Sequence, residues 1–429
     1  MRDLGHVALG SWSGGVHMHF GLPIDEDRLV ALLRPDAAIS TVITADAYGA
    51  GAADALVGRA LDGLPRDDYA LVGAVGHDFY EGERQGSKGY PRFTDPSLRG
   101  PDGYADYLRR ATERSLERCG TDHFELLMLH NPDRIGYSSE VVWDAMAALR
   151  EEGLAGSIGV APGPANGFTL DLLGCFERFG DRIDWAMVIL SPFEPWPSRL
   201  LLPAMATHRI RAIARVVDHG GVFHGDVPDE GDLPGRDHRA FRPAGWVDAG
   251  RGKLARLRPI AERHGLTTLQ LACQWTLAQG TVSCVVPTLI QEPGHDARPV
   301  EAKRADLAAV PARAAGRSRN QQWDLESISG NYYRIRSAET GEVMTVQGRG
   351  ESGDSIVLER ERRNDDYQLW EVRPGPDNGY YFIARNGKAL DSPSSARHDG
   401  GRMQIYNRNG EANQRFRLRL VDDGSRFDD

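Results

Sequence analysis

The strongest constraint on this chain is an alternation that runs through its first 310 residues. Short β-branched or apolar runs recur, each followed by a longer amphipathic stretch. The runs are VALGS (7–11), STVIT (40–44), ALVGAV (70–75), ELLMLH (125–130), SIGVA (157–161), AMVIL (186–190), AIARVV (212–217) and SCVVP (283–287). Between them, Asp25–Arg34, Ala52–Leu61, Gly103–Cys119, Val141–Glu152, Leu170–Phe179 and Gly252–His264 carry apolar residues at three- and four-residue spacing, which gives a helix one buried face. This rhythm predicts an α/β domain over residues 1–310, with eight parallel strands closed into a (β/α)8 TIM barrel. The alternative is an open doubly wound sheet, but no GxGxxG turn stands between the first strand and helix. Two connections are too long for simple turns: Gly76–Pro101 after the third strand and Asp218–Trp246 after the seventh. On a barrel both lie at the C-terminal mouth, where active sites are built.

A length of 429 residues, 41% hydrophobic and 26% charged, accommodates two or three domains and excludes disordered and collagen-like classes. The 51 Lys+Arg and 61 Asp+Glu give −10 without segregation into a basic face, so nucleic acid is not an expected partner. No run approaches eighteen apolar residues, and MRDLGHVALGSWSGG lacks the basic region, apolar core and cleavage site of a signal peptide. The expectation is a cytoplasmic protein with no membrane partner. Cys119, Cys175, Cys273 and Cys284 form no CxxC pair and read as packing residues.

Beyond residue 310 the helical period stops. PARAAGRSR (311–319) reads as a basic, small-residue linker, and residues 320–420 carry short alternating runs and Gly-rich turns, ahead of an acidic tail at 421–429. Gln321-Gln322-Trp323, Gln368-Leu369-Trp370 and Gln414-Arg415-Phe416 recur at spacings of 47 and 46 residues. YYRIRSAETGEVMTV (332–346) aligns with YYFIARNGKALDS (380–392), and GDSIVLE (353–359) with GRMQIYN (401–407). Such a repeat predicts a pseudo-symmetric all-β unit.

These QxW marks resemble the ricin-B-type lectins, β-trefoils that bind sugars. The resemblance implies sugar ligands at Asp391, Gln404, Tyr406, Asn413 and Gln414, a set with the carboxylate, amides and aromatic face that paired hydroxyls and a sugar ring require. The matching places of the preceding repeat hold Thr345, Val357, Glu359 and Tyr367, so one sugar site is expected. Trp323 and Trp370 read as core elements of the trefoil. A trefoil has three repeats, and only Asn320–Trp323 of the earliest is present; the barrel surface or a second chain would complete it.

Residues 1–310 resemble the aldo-keto reductase superfamily through LGSW (9–12), TADAYG (44–49), LVGRAL (56–61), LERCGTDHFELLMLHNPD (116–133), LREEGLAGSIGV (149–160) and IAERHGLTTLQLACQWTLAQ (260–279). The resemblance implies hydride transfer with a Tyr acid, a Lys that lowers its pKa, an Asp paired with that Lys, and a His that orients the carbonyl. Tyr48 and His130 match the Tyr and His. Ile43 stands where the Asp belongs, and Gly73-Ala74 where the family reads Thr-Lys. Ala161-Pro162 replace the Ser-Asn pair that holds the nicotinamide amide, and Leu190 stands near the place of a Gln; none of these side chains can make the hydrogen bonds. Arg298, Lys303 and Arg304 remain as candidates for a cofactor phosphate, with a solvated helix face as their ordinary alternative.

Other polar groups cluster at the strand ends. His77, Asp78, Asp218 and His219 would join Tyr48 and His130 in an acid/base site, with Arg84 as a further donor, Lys88 as a substitute for the missing lysine, and Asn-Pro-Asp after His130 serving otherwise as a helix cap. His17 and His19, on one face of an extended segment, would form a divalent-metal site with His130 or His219 and Asp218. Three readings follow. The first is non-redox acid/base chemistry, as a lyase, isomerase or hydrolase, on a sugar-like or glycosylated small molecule, with a carbohydrate-binding module. The second is an NADP(H)-dependent oxidoreductase with a rearranged site. The third is a non-catalytic carbohydrate-binding protein. The sequence leaves the oligomeric state open.

Overall fold

The computed structural model describes residues 2–86, 89–163, 166–310, 323–338, 340–363, 365–376, 379–393, 403–416 and 418. Lys88, Gln321, Gln322, the 311–319 linker and the 421–429 tail lie outside them. Contacts divide the chain into two units, Met1–Arg313 and Ala314–Asp429.

In the first unit eight parallel strands run in sequence order: β1 (Ala8–Gly10), β2 (Thr41–Ile43), β3 (Ala70–Val75), β4 (Phe124–His130), β5 (Ala155–Ala161), β6 (Trp185–Ile189), β7 (Arg211–Arg215) and β8 (Val282–Val286). A parallel bridge from Val7 to Val285 closes the sheet, so the barrel expected from the alternation is present and the open sheet is excluded. Ten helices cover it among the described residues: α1 (Glu26–Leu33), α2 (Ala52–Leu61), α3 (Tyr104–Cys119), α4 (Arg134–Ser138), α5 (Glu140–Glu151), α6 (Thr169–Phe179), α7 (Leu201–His208), α8 (Trp246–Arg263), α9 (Thr268–Leu277) and α10 (Val300–Ala308).

Alternation along each strand sorts the side chains into two cores. Ala8, Ile43, Val72, Leu126, Met128, Met187, Ile213 and Cys284 fill the barrel, while a larger set including Leu9, Val42, Leu71, Leu127, Val160 and Val285 packs under the helices. All four cysteines are buried and unpaired, as packing residues. Where the reading of helices fell short, the cause is local. α4 is too short to show a period, and α8 begins six residues before Gly252 because Gly250 and Gly252 masked its first turns. α9 is set by a capping box in which Thr267 and Gln270 satisfy each other's backbone N–H.

The second unit is an antiparallel all-β sheet. Its strands are β9 (Trp323–Ser329), β10 (Tyr332–Ser337), β11 (Val343–Val346), β12 (Ile356–Glu359), β13 (Trp370–Pro374), β14 (Tyr380–Ala384), β15 (Ala389–Asp391) and β16 (Gln404–Tyr406), ordered β12-β11-β10-β13-β14-β15-β16 with β9 beside β10. Trp370 is fully buried among Ile335, Val346, Phe382, Leu390 and Ile405, and its indole N–H donates to the Met344 carbonyl at 3.0 Å. Gln368 accepts from Arg362 N and donates to Thr345 Oγ1 and the Arg360 carbonyl. The QxW mark is therefore a core and turn element here. Among the described residues no helix is long and apolar enough to cross a membrane.

Candidate functional site

The side chains that face inward at the last layer of the barrel are set by strand phase. His130 lies two residues beyond the inward Met128, and Arg215 two beyond the inward Ile213. Tyr48, just past β2, packs against the same interior layer, as does Trp12 past β1. Glycines admit this arrangement. A Cβ on Gly10 would stand 2.5 Å from the Trp12 ring, and one on Gly76, at φ +154°, would stand 2.7 Å from the His130 carbonyl.

Tyr48 meets His130 edge to face with ring centroids 5.6 Å apart, and Trp12 at 6.3 Å. Trp12 Nε1 donates to Thr288 Oγ1 beyond β8 at 3.2 Å. His77 lies 5.0 Å from His130, centroid to centroid. Arg92 NH1 donates to His77 Nδ1 at 3.0 Å, while Arg92 Nε donates to the Asn131 carbonyl. His77 Nδ1 also lies 3.2 Å from the Tyr90 carbonyl, and its Nε2 lies 3.1 Å from the Asn131 side-chain amide, so the ring is held by contacts at both nitrogens.

The electrostatics follow from burial and these neighbours. Burial, aided by His77, Arg92 and Arg215, holds His130 well below the usual imidazole range, so it is neutral at neutral pH. Burial and Arg92 push His77 down to about 4. Burial raises the Tyr48 hydroxyl, and Arg215 opposes that rise. Where the β3 lysine is missing, Ala74 lies in the inner apolar layer, and the cation that bears on Tyr48 comes from β7 instead. The sequence reading missed Arg215; its signal was the lone charged residue two places beyond an inward strand position.

Two further missed features accompany these residues. Asn131, directly after His130, has φ +46°, and Val216, directly after Arg215, has φ +58°. Left-handed backbone is a genuine outlier for a β-branched residue and costs about 1–3 kcal/mol.

The remaining expectations for the mouth need correction. Asp78 accepts from Tyr80 N, Glu81 N and Arg99, and Asp218 accepts from Gly221 N at 2.7 Å and Thr288 N at 3.0 Å. Both carboxylates brace loops through these hydrogen bonds. His219 is packed against Trp246 and Phe193, with Nδ1 3.9 Å from Glu194, and burial holds its pKa near 4. It makes no contact with Tyr48 or His130. Arg84 is exposed on its loop. Asp133 caps α4 by accepting from Gly136 N, while His130 takes no part in that cap.

The metal expectation also fails on geometry. Residues 13–15 form a short 3-10 turn within a run of turns, so the segment is not extended and the histidine rings diverge. His17 lies against Gly49, while His19 stacks on His238 at 5.8 Å. Among the described residues no group of three or more His, Cys, Asp or Glu side chains could hold a metal ion.

A nicotinamide nucleotide fits this chain poorly. Ala161, Pro162 and Leu190 line the expected cradle, and Arg215 NH2 is bonded there to the Gly163 carbonyl at 2.6 Å and the Pro162 carbonyl at 3.3 Å. The phosphate candidates are committed to the fold. Lys303 is fully buried and bonded to Asp226 at 2.8 Å and the Ile290 carbonyl at 2.6 Å. Arg304 bonds Asp36 and the carbonyls of Leu32 and Arg34. Arg298 pairs with Asp306 at 2.9 Å.

In the second unit, all five candidate sugar ligands fall in one small region. Asp391 pairs in register with Gln404 across β15 and β16. Its Oδ1 accepts from Gln404 Nε2 at 2.9 Å, and its Oδ2 from Asn413 Nδ2 at 2.9 Å and Gln414 Nε2 at 3.0 Å. Tyr406 is exposed at the edge. In the preceding repeat Thr345 replaces the carboxylate, donating to the Val343 carbonyl.

A closed eight-stranded barrel whose C-terminal mouth carries a Tyr–His pair defines a class of TIM-barrel proteins. Residues 7–293 match the model of the Aldo/keto reductase family, and the chain belongs to that family. Residues 296–359, 319–388 and 366–427 match a Ricin-type beta-trefoil lectin domain-like model. The chain is similar to a 6-dehydroglucose reductase of Agrobacterium fabrum, 24% identical over 64% of this chain and 81% of that protein. It is also similar to a D-threo-aldose 1-dehydrogenase of a Pseudomonas species, 26% identical over 61% and 79%. Among solved structures, the glycerol dehydrogenase of Gluconobacter oxydans shares the fold at a TM-score of 0.53 and 19% identity, covering 73% of this chain and 95% of that one.

Proposed function

We propose that the barrel is a carbohydrate-directed site in which Tyr48, His130 and Arg215 promote proton transfer beside a carbonyl, so that the reaction is an isomerisation or elimination. The observation that carries this reading is the guanidinium of Arg215, bonded to the Pro162 and Gly163 carbonyls where the family resemblance calls for the amide-holding pair. A neutral His130 is a base at neutral pH. It takes the proton from the carbon next to the carbonyl, while Tyr48 donates to the carbonyl oxygen and Arg215 offsets the charge that develops there. His130 then returns the proton to the former carbonyl carbon while the Tyr48 phenolate takes back a proton from the neighbouring hydroxyl, which becomes the new carbonyl, so the isomerisation balances without any oxidant. Hydrolysis of a glycoside fits less well, because it calls for two facing carboxylates and Asp78 and Asp218 are both committed. The sugar class is supported by the names of the two relatives, and the Asp391 cluster of the second unit is assigned to carbohydrate by itself.

The test is deuterium exchange. Aldoses and hydroxy-ketones incubated with the protein in D2O should lose the proton signal at the carbon beside the carbonyl, and His130→Gln should abolish that loss. Exchange that survives His130→Gln would remove the assignment of the base. A second reading, an NADP(H) oxidoreductase with a rearranged site, is favoured by the relatives' reductase and dehydrogenase names and by a cation beside Tyr48, which would also stabilise an alkoxide. Calorimetric titration with NADPH separates the two: micromolar binding brings the redox reading forward, and absence of binding supports proton transfer alone.

A further inference from the structure

Arg215 is a cation without a carboxylate of its own. Its NH2 is held by two backbone carbonyls, and no acidic side chain among the described residues forms an ion pair with it. Glu194, which acts on it at longer range, sits 3.9 Å from His219 Nδ1 and 4.0 Å from Arg242. The cleft beside Arg215 is lined by Phe168, Leu172, Ile189 and Leu201 together with Thr169 and Ser198, and no carboxylate is among its lining residues. A half-buried guanidinium without a carboxylate is costly in such surroundings, and the most deeply buried cations of this molecule are paired. Buried Arg239 is clasped by Asp237 and Glu292, and buried Lys303 by Asp226. Arg215 follows the inward phase of β7 and is succeeded by Val216 at φ +58°, a strained position for a β-branched residue. On the other side of His130, Arg92 also has no ion pair and gives its hydrogen bonds to two carbonyls and His77. Two uncompensated guanidinium groups therefore flank the Tyr48–His130 pair, since both bear on His130.

We propose that Arg215 anchors a carboxylate carried by the substrate of the Tyr48–His130 site, with Arg92 reinforcing the field from the opposite side. The substrate class becomes an acidic one, a sugar acid or another hydroxy-acid, in place of a neutral sugar. A guanidinium offers paired N–H groups that match the two oxygens of a carboxylate, and the ligand supplies the charge that the fold leaves unbalanced. This inference rests on the reading above in placing Arg215 at the Tyr48–His130 site, and it gives the guanidinium the substrate's carboxylate to hold in place of the charge on the carbonyl oxygen.

The test uses the full chain with 13C-labelled histidine, the His130 resonance being assigned through His130→Gln, so that binding in the barrel is read apart from any in the second unit. D-galacturonate, D-galactose, D-lactate and NADP+ are titrated in turn. The two carboxylates should move the His130 signal with affinity about tenfold or more above that of D-galactose. Arg215→Met should erase that preference, and Arg215→Lys should keep part of it. Equal response to D-galactose, or a preference that survives Arg215→Met, would overturn the proposal. A response to NADP+ stronger than to either carboxylate, and lost in Arg215→Met, would overturn it in favour of a nucleotide phosphate. D-lactate binding without D-galacturonate binding would leave the anchor standing and sink the sugar reading, while D-galactose binding with no charge preference would do the reverse. The wild-type comparison decides the matter even if Arg215→Met fails to fold.

Discussion

Tyr48, His130 and Arg215 carry the proposed chemistry at the level of single side chains. Removing the Tyr48 hydroxyl or the His130 imidazole takes away a positioned proton donor or base. Tyr48→Phe and His130→Gln should each lower turnover by about 10²–10⁴-fold with unchanged circular dichroism. Their pH behaviour follows from burial. His77 should titrate near 4 in the folded protein, and a histidine proton-NMR titration that placed its midpoint near the ordinary 6.5 would contradict the Arg92 contact. Because the folded pKa lies below the unfolded one, the unfolded state binds more protons between those values. Stability should therefore fall as pH drops from about 6.5 towards 4, which denaturant midpoints across that range would register.

Loops carry the next set of expectations. The segment after β7 is pinned by Asp218 to Thr288 N, and by Arg239 to Asp237 and Glu292, so it forms one body with the segment after β8. Arg239→Ala would leave Glu292 buried without its guanidinium and Asp237 with only the backbone N–H groups of Gly21 and residue 239. A loss of about 3–5 kcal/mol is expected from urea unfolding; a loss under 1 kcal/mol would show that the cluster relaxes into water. Val216→Gly removes the left-handed penalty and should raise stability by about 1 kcal/mol, while loosening the direction of Arg215 and weakening anion binding. A variant that gained both stability and affinity would show that the strain serves neither.

The chain as an assembly of two units predicts separable behaviour. The units have their own cores, so calorimetry should show two transitions, with the barrel alone responding to the Arg239→Ala change. Asp391→Ala leaves three amide groups without their acceptor and should abolish retention on a sugar matrix, with barrel turnover untouched. Retention that persisted would move the sugar site away from β15 and β16.

Strand phase, helix period and repeat spacing are local properties of a chain, and they were enough to read the barrel and the all-β unit, while the place of Tyr48 and His130 and the core role of Trp370 came from the family resemblances. The losses at Ile43, Ala74, Ala161 and Leu190 were equally legible, since an aliphatic side chain lacks donors and acceptors wherever it is placed. Partnership is different, because it depends on which loops meet. Asp78 and Asp218 carry the same chemistry whether free or bonded to backbone N–H groups, and only packing supplied those partners. His17 and His19 looked like chelators until a turn parted them. The return of positive charge beside Tyr48 through Arg215 depends on β7 and β2 facing each other across the closed barrel, a relation between residues far apart in sequence that no local pattern encodes.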